Sequence, residues 1–235
     1  NPQDGQVVQG TATITAPDPS TLNILQQTNK AIINWQSFDI GAGETTQFFL
    51  PSTAGVTLNR VVGGDNPSEI LGNLKSNGTV MVINPDGILF GPNSVVDVGG
   101  LLATTSDIED NDFMTGNYRF SKPGNPAASI VNQGTITVRD QGIAALVAPG
   151  VRNEGIIAAR LGKVTLGAAN QFTLDLYGDD LINLALTDEL TDEVFDLATG
   201  KPLADRVSNT GKISADGGTV VLKAATARKV VNSVI

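Results

Sequence analysis

The sequence contains no histidine and no cysteine among its 235 residues. These absences exclude imidazole bases, thiol nucleophiles, disulfide bonds and the usual zinc sites. Positive charge is also scarce, because 15 Lys and Arg residues stand against 24 Asp and Glu residues, which gives a net charge of −9. A chain of this charge repels phosphate backbones, and no basic cluster offsets the repulsion, so we expect no nucleic-acid partner.

Long hydrophobic runs are missing as well. No apolar segment approaches the roughly 20 residues that a membrane helix requires, and no charged segment followed by an apolar one opens the chain. We therefore expect mature, soluble protein without stable membrane insertion. Glycine, in contrast, is abundant with 26 residues, while charged residues make up only 17%. This composition favours many short strands joined by tight turns.

A motif recurs about every twenty residues in the second half of the sequence. Its first element, an apolar residue, Asn, a variable residue and Gly, is centred on Asn132, Asn153 and Asn209. Its second element, G-x-[A/V]-x-L-x-A, begins at Gly142, Gly162 and Gly218. Short strands and glycine turns at this period are typical of a solenoid, and the helical segments of leucine-rich repeats are missing. The sequence therefore predicts an all-β fold, a parallel β-helix in which the second element forms half-buried strands.

Stacked coils would bring the repeated asparagines together. Parallel strands of neighbouring coils lie about 4.8 Å apart, so amide side chains at equivalent positions can form hydrogen bonds with one another. We predict such a ladder through Asn132, Asn153 and Asn209, with a structural role. Asn232 begins a further, incomplete copy of the motif.

The first part of the chain, to about residue 60, is rich in strand-forming residues but lacks the repeat. A solenoid needs covered ends, because an exposed terminal coil offers unpaired strand edges. We therefore predict that these residues form an N-terminal cap with Trp35, Phe38 and Ile40 in its core. The alternative for Trp35, the single tryptophan, is an aromatic platform for a sugar.

Residues from about 61 to 235 are then the coils of a single domain, 1–235, with two insertions. The segment near 104–129 is polar and turn-rich, which predicts a loop that projects outward. The segment near 171–206 makes one step of the repeat too long. Its residues alternate between apolar and polar on both sides of Gly178-Asp179-Asp180, which predicts a hairpin packed on one face.

The segment VMVINPDGILFG, residues 80–91, joins two apolar runs through a polar tetrapeptide. Asn84 at the first turn position, Pro85 at the second and Gly87 at the fourth are the residues that a type I turn prefers. The short side chains of Asn84 and Asp86 can in addition bond to nearby backbone. Two hypotheses remain open for this turn: a rigid corner that sets the register of the first coils, or an epitope that contacts a partner.

Candidates for catalysis or metal binding are weak. The acidic pairs Asp179-Asp180, Asp188-Glu189 and Asp192-Glu193 could supply the two carboxylates of a glycosidase, but they fall in the second insertion, where solvated charge is expected. The segment DIEDND, residues 107–112, fits a calcium loop only loosely, and we interpret it as a polar loop. We therefore predict no catalytic residues, no metal site and no cofactor.

Several longer segments occur together and in one order. They are VVQGTATI at 7–14, KAIINWQSFDIGAGETTQFFLP at 30–51, INPDGILFG at 83–91 and the coil motifs. This combination resembles the secretion domain of two-partner secretion exoproteins, the filamentous haemagglutinin and high-molecular-weight adhesin group of Gram-negative bacteria. The similarity covers nearly the whole chain.

The resemblance implies a right-handed parallel β-helix with an N-terminal β cap and hairpins outside the helix. It also implies a role as the N-terminal secretion domain of a long exoprotein, recognised in the periplasm by the POTRA domains of a TpsB-type outer-membrane transporter. The domain would be a monomer that is exported unfolded to the cell surface or the medium and nucleates folding of the β-helix there.

The family's NPNG-I motif corresponds to Asn84, Pro85, Asp86, Gly87 and Ile88. Asp86 departs from the usual asparagine, and residues 66–69 (NPSE) match the companion NPNL motif poorly. Two other function classes remain: a polysaccharide-degrading β-helix enzyme and a carbohydrate-binding adhesin domain. The few charges on the predicted coil faces disfavour the enzyme, and the resemblance assigns adhesion to later parts of the full-length protein.

Overall fold

A computed structural model of the protein describes residues 1–175, 182–184, 190 and 192–224. The strands before the first insertion are β1 (Gln6–Gln9), β2 (Ala12–Asp18), β3 (Thr21–Gln26), β4 (Lys30–Trp35), β5 (Thr45–Phe49), β6 (Val56–Val61), β7 (Ser68–Ile70), β8 (Asn73–Ser76), β9 (Thr79–Ile83), β10 (Ile88–Phe90), β11 (Val95–Val98) and β12 (Gly100–Thr104). The first insertion contains β13 (Asp107–Ile108), the helix α1 (Asp110–Thr115) and β14 (Arg119–Lys122). The remaining strands are β15 (Ser129–Asn132), β16 (Thr135–Val138), β17 (Ile143–Ala148), β18 (Gly150–Asn153), β19 (Ile156–Ala158), β20 (Lys163–Ala168), β21 (Phe172–Leu174), β22 (Ile182–Leu184), β23 (Val207–Asn209), β24 (Lys212–Ser214) and β25 (Thr219–Ala224).

Three long sheets enclose the main core. Sheet 1 has the order β1-β4-β6-β9-β12-β17-β20-β25, sheet 2 the order β2-β3-β5-β8-β11-β16-β19-β24, and sheet 3 the order β7-β10-β15-β18-β23. From β7 onward the chain visits sheets 3, 2 and 1 in turn, and each strand pairs in parallel with the equivalent strand one coil away. The parallel β-helix predicted from the repeat is therefore confirmed.

The antiparallel part of the N-terminus is shorter than the predicted cap. Among the named strands of this region, β1 and β2 pair antiparallel, with β4 and β3 respectively. Parallel pairing begins with Thr21 opposite Thr45 and with Lys30 opposite Val56. The boundary predicted near residue 60 therefore lies too far along the chain. The first coils lack the Asn-x-Gly motif and nevertheless stack in parallel, with alternate side chains of β3 and β5 buried.

Aliphatic side chains of successive coils form columns inside the three sheets. One column runs through Val80, Leu101, Ala144 and Val164, which are register partners and at most 1% exposed. Full burial of such a side chain contributes about 1.5–3 kcal/mol relative to exposure. Val220 is the register partner of Val164 in the last described coil and continues this column.

The two insertions meet in a fourth, antiparallel sheet with the order β13-β14-β21-β22. The rings of Phe120 and Phe172 stack in it with centroids 4.6 Å apart. The hairpin predicted for the second insertion is confirmed by the pairing of Phe172 with Leu184, and its turn lies outside the described residues. The segment predicted to project near 104–129 does leave the coils, but it folds into β13, α1 and β14 and pairs with β21 instead of forming a loop.

This fourth sheet, together with α1, covers the outer face of sheet 1. The outward side chains of Met81, Leu102 and Ala145 are fully buried in a second apolar cluster with Phe113 and Phe120. All residues of β17 are consequently buried, whereas the repeat predicted half-buried strands. The covering segments come from distant parts of the sequence, so the repeat itself carries no sign of them. No helix among the described residues is long and apolar enough to span a membrane.

Candidate functional site

The Asn-Pro-Asp-Gly segment forms a tight turn between β9 and β10. The Gly87 N–H donates a 3.1 Å hydrogen bond to the Asn84 carbonyl oxygen, which closes the turn. The Asp86 N–H donates to Asn84 Oδ1 at 3.0 Å, so the first side chain bonds the backbone two residues on, as such turns often do. The local chemistry predicted from the sequence is therefore present.

Asn84 is buried, with 1% of its surface exposed. Its Nδ2 donates 3.0 Å hydrogen bonds to the Asn66 carbonyl oxygen and to Ser68 Oγ in the preceding coil. A buried amide with all these partners is costly to replace, because the groups left unpaired lose their hydrogen bonds without gaining water. Asn84 thus holds two coils together at this corner and has little surface left for a partner.

The first insertion covers part of the same turn. The Asn125 N–H donates to the Pro85 carbonyl oxygen at 3.0 Å, and Asn125 Nδ2 lies 3.4 Å from Asp86 Oδ1. Pro85 and Asp86 remain partly exposed, while Gly87 and Ile88 are buried. Of the five motif residues, only Pro85 and Asp86 therefore offer a surface to a partner.

Both the backbone conformation and the lack of space for a side chain require glycine at position 87. Its φ is 109°, a conformation that residues with a Cβ rarely adopt. A Cβ at this position would lie 2.5 Å from the Ser129 carbonyl oxygen and 2.8 Å from Leu197 Cδ1. Leu197 belongs to the second insertion, so the turn lies where both insertions meet the coils.

An open cleft of about 180 Å³ lies beside the turn. Gln36, Phe38, Asn66, Ser68 and Asn84 are among its lining residues. Asp39 is the one titratable side chain among the described residues that line the cleft. The lining of the cleft is thus mostly uncharged.

The predicted asparagine ladder forms in sheet 3. Asn132 Nδ2 donates to Asn153 Oδ1 at 2.7 Å, and Asn153 Nδ2 donates to Asn209 Oδ1 at 2.6 Å. Asn132 and Asn153 are fully buried, while Asn209 lies exposed in the last described coil. Asn132 Oδ1 also accepts the Gly134 N–H at 3.2 Å, so each amide supports its own turn as well as its neighbour.

The three aromatic and aliphatic residues assigned to the cap lie together in the main core. Trp35, Phe38 and Ile40 are at most 1% exposed, and the rings of Trp35 and Phe38 meet edge to face with centroids 5.8 Å apart. Trp35 Nε1 donates to Asn59 Oδ1 at 3.0 Å, which satisfies the buried indole. Its burial rules out the alternative of a sugar platform at this residue.

The DIEDND segment, interpreted as a polar loop, instead forms ion pairs with a distant arginine. Arg60 Nε donates to Asp107 Oδ1 at 2.8 Å, and Arg60 Nη2 donates to Asp110 Oδ1 and to the Ile108 carbonyl oxygen, both at 2.9 Å. Burial opposes the charged form of Arg60, but the two carboxylates outweigh it and raise its pKa. The carboxylates thus anchor the insertion to the coils.

A second cation anchors α1. Lys30 Nζ donates to the carbonyl oxygens of Phe113 and Met114 at 3.0 and 3.1 Å and lies 5.1 Å from the centroid of the Tyr118 ring. Positive charge is favourable at the carbonyl end of a helix and over an aromatic face. Burial lowers the pKa of Lys30.

The acidic pairs proposed as alternative catalytic carboxylates do not form a site among the described residues. Asp192 and Glu193 are exposed, and Asp179-Asp180 and Asp188-Glu189 lie outside the described residues. No group of three or more Asp and Glu side chains in the described part of the chain could hold a metal ion.

The sequence gives no indication of the residues that bind the turn at Asn84 or the segment 107–112. Ser68 lies 16 residues before Asn84, and Asn125 lies 39 residues after Asp86. Arg60 lies 47 residues before Asp107. Single polar residues at such separations have no periodicity, so no sequence signal connects them.

The family described as TPS secretion domain matches residues 1–235. Two curated relatives are both named heme/hemopexin-binding protein and both come from Haemophilus influenzae. One is 40% identical over 121 residues, 52% of this chain and 13% of the relative, and the other, from strain Rd, is 35% identical over 201 residues, 82% of this chain and 22% of the relative. The chain therefore spans about a fifth or less of these proteins.

A solved structure supports the same assignment. The crystal structure of the HMW1 secretion domain from Haemophilus influenzae matches with a TM-score of 0.77 and 31% sequence identity, covering 95% of this chain and 56% of that one. Family, relatives and fold thus agree. The chain belongs to the TPS secretion domain family and is the secretion domain of a two-partner secretion exoprotein.

Proposed function

We propose that this domain is recognised in the periplasm by the POTRA domains of a TpsB-type outer-membrane transporter. The transporter then exports the exoprotein to the surface of a Gram-negative cell or into the medium. Membership of the TPS secretion domain family supports this role. The sequence is also compatible with passage through a narrow pore, because a chain without cysteine carries no disulfide-closed loop.

We further propose that the domain nucleates folding of the β-helix as the chain emerges. The observation that carries this proposal is the column of sheet 1 through Val80, Leu101, Ala144 and Val164, in which each coil buries its aliphatic side chain against the next. Each coil pairs only with its neighbours, so a new coil needs no long-range search and can bury its aliphatic side chains on the previous one.

The test is an export assay in cells that produce a cognate TpsB-type transporter. Val164→Ser and Leu166→Ser place polar groups in fully buried positions of one coil and should reduce the amount of protein outside the cell. Thr137→Ser, at an exposed position, is the control and should leave export unchanged. Unchanged export of both core variants would contradict a contribution of coil folding to export.

For the turn we propose a divided role, with Asn84 as a structural residue and Asp86 as a contact residue. The burial of Asn84 and the partial exposure of Asp86 support this division. Asn84→Ala should lower the melting temperature and Asp86→Lys should not, while Asp86→Lys should weaken binding to the purified POTRA domains. An Asn84→Ala protein of normal stability that no longer binds would instead assign direct contact to Asn84.

Catalysis and glycan binding are the alternatives. The family is one of secretion domains rather than of enzymes. We expect a depolymerisation assay on plant and bacterial polysaccharides and a glycan-binding screen of residues 1–235 to give no signal. Activity in the depolymerisation assay, or binding in the glycan screen, would favour that function over recognition by the transporter.

A further inference from the structure

The last part of the second insertion crosses the outer face of sheet 3. It consists of residues 192–206, which lie between β22 and β23, and we call it the strap. Its two ends meet, because Arg206 Nη2 donates a hydrogen bond to the Asp192 carbonyl oxygen. Between these ends, Phe195 and Pro202 pair in an antiparallel bridge. The strap is therefore a loop with a closed base and a defined conformation.

The strap contacts the coils that contain β10 and β15. The Phe195 N–H donates to the Ala127 carbonyl oxygen at 3.2 Å, and the Leu197 N–H donates to Ser129 Oγ at 3.3 Å. Leu197 also packs against the turn before β10, since a Cβ on Gly87 would lie 2.8 Å from its Cδ1. Backbone and side-chain groups of the strap thus join these two coils from the outside.

A buried ion pair holds the strap on the next coil. Val151 lies in the main core, so its neighbour Arg152 on β18 points outward from sheet 3. Arg152 Nη1 donates to Asp196 Oδ2, and Asp196 is only 1% exposed. Asp196 Oδ1 accepts the N–H groups of Ala198 and Thr199 at 2.7 and 3.1 Å. Because a buried charge is costly without its partner, opening the strap at this point is unfavourable.

A connection across several coils changes how a solenoid opens. In an array of repeats, each unit is stabilised by its own contacts and by those with its nearest neighbours, so terminal coils can open separately. The strap bonds at once to the coils of β10, β15 and β18, which are successive in sheet 3. None of these coils can separate from the next without breaking contacts of the strap as well.

The order of the chain indicates when the strap closes. The coil residues that it contacts lie between Gly87 and Arg152 and precede the strap in sequence. Their strands pair with one another directly, so these coils can stack before the strap is in place. Contacts that form after the transition state for folding slow unfolding and leave the folding rate nearly unchanged.

We propose that the strap closes over coils that have already stacked and slows their unfolding, with the Arg152–Asp196 ion pair holding it closed. Secreted proteins often unfold irreversibly, so their lifetime depends on the rate of unfolding rather than on the equilibrium stability. The strap gives the folded domain a long lifetime without being required when folding begins. This inference concerns the folded domain and does not depend on how the chain is recognised for export.

The test is a measurement of unfolding and refolding rates in urea, followed through the fluorescence of Trp35, the single and buried tryptophan. Asp196→Asn removes the pair with Arg152, while the amide oxygen can still accept the N–H groups of the strap. We expect this variant to unfold about tenfold faster or more and to refold within about twofold of the wild-type rate. Asp140→Asn is the matched control, because it breaks an exposed pair with Arg160, and both of its rates should stay within about twofold.

Hydrogen exchange pulsed during refolding of the unmodified domain requires no variant and decides the question if Asp196→Asn does not fold. The amides of Phe195 and Leu203, which are bonded in the strap, should become protected after those of Glu154 and Ile156, which donate to the preceding coil. Protection of the strap at the same time as the coils, or before them, would overturn the proposal. Wild-type unfolding by a folded Asp196→Asn variant, or refolding slowed as much as unfolding is accelerated, would overturn it too.

Discussion

Asn153 donates a 2.6 Å hydrogen bond to the side chain of Asn209, although 56 residues separate them in the sequence. The chain leaves the stack after β20, forms the second insertion, and returns so that β23 pairs with β18 in the register of the other coils. Long insertions are tolerated at such points because the entropic cost of closing a loop grows slowly with its length. The amide ladder therefore marks the position at which the coil resumes.

The central rung of this ladder should be the most sensitive to substitution. Asn153→Ala removes both the acceptor of Asn132 and the donor to Asn209, and we expect the free energy of unfolding in urea to fall by about 2 kcal/mol. Asn209→Ala is the comparison, since Asn209 is exposed and its substitution removes one bond of the ladder where Asn153→Ala removes two. Equal losses for the two variants would contradict a role of burial in the ladder.

The glycine of the Asn-x-Gly motif should be required for close stacking rather than for its φ. A Cβ on Gly155 would lie 2.1 Å from the Gly134 carbonyl oxygen of the preceding coil. We expect Gly155→Ala to lower the free energy of unfolding by about 1–3 kcal/mol, and Gly155→Asn to be no better.

Gly43 offers the matched comparison for that experiment. Its φ is 82° and nothing lies within 4 Å of a Cβ built on it, so only the backbone conformation opposes a substitution. Gly43→Ala should cost about 1 kcal/mol, and Gly43→Asn should recover part of this because asparagine tolerates the left-handed region. If Gly155→Asn were also more stable than Gly155→Ala, the backbone conformation of Gly155, and not its contact with Gly134, would determine the loss of stability.

The ion pairs of Arg60 should hold the first insertion against the coils. Arg60→Gln loses the bonds to Asp107 and Asp110, and we expect the free energy of unfolding to fall by about 2 kcal/mol, with faster amide exchange in α1. Arg160→Gln breaks an exposed pair with Asp140 and should cost at most about 1 kcal/mol. Exchange in α1 that is unaffected by Arg60→Gln would show that apolar packing alone holds the insertion.

Stability should depend on pH through Glu154. Its pKa lies below the ordinary 4.5, first because Gln133 Nε2 donates a 2.9 Å hydrogen bond to the carboxylate and then because Arg152 pairs with it. Folding therefore favours the ionised form, and this contribution is complete above the pKa of the unfolded chain and is lost as the pH falls through the folded pKa.

The difference in free energy of unfolding between the wild type and Glu154→Gln should thus be constant around neutral pH. It should shrink once the pH falls below the ordinary value of 4.5 and the glutamate takes up a proton. Urea titrations at a series of pH values measure this difference. A difference that grows on acidification would have the wrong sign for a carboxylate of lowered pKa.

The turn at Asn84 shows how far sequence reasoning extends. Its local geometry follows from the preferences of Asn, Pro and Gly, and the closing bond from Gly87 to Asn84 is present. The bonds from Asn84 to Asn66 and Ser68 could not be predicted, because they depend on which segment of the preceding coil passes beside the turn. This contact buries Asn84, so that Pro85 and Asp86 are the motif residues that keep exposed surface.

For the insertions, the local structure could be predicted from the sequence but their packing against each other could not. The hairpin of the second insertion could be predicted from its alternation, whereas the pairing of β14 with β21 could not. Phe120 lies in the first insertion and Phe172 in the second, and neither segment carries a sequence pattern that indicates contact with the other. Only their meeting over sheet 1 explains why strands such as β17 are buried on both faces.

The sequence by itself determined the coil, the register of the amide ladder and the family, because these follow from short-range periodicity and from motifs that are contiguous in the chain. The tertiary structure decided how short the antiparallel cap is, where the insertions pack and which motif residues remain exposed. These features depend on contacts between residues far apart in sequence, whose pairing is selected by burial and hydrogen bonding in the folded protein rather than by any local pattern.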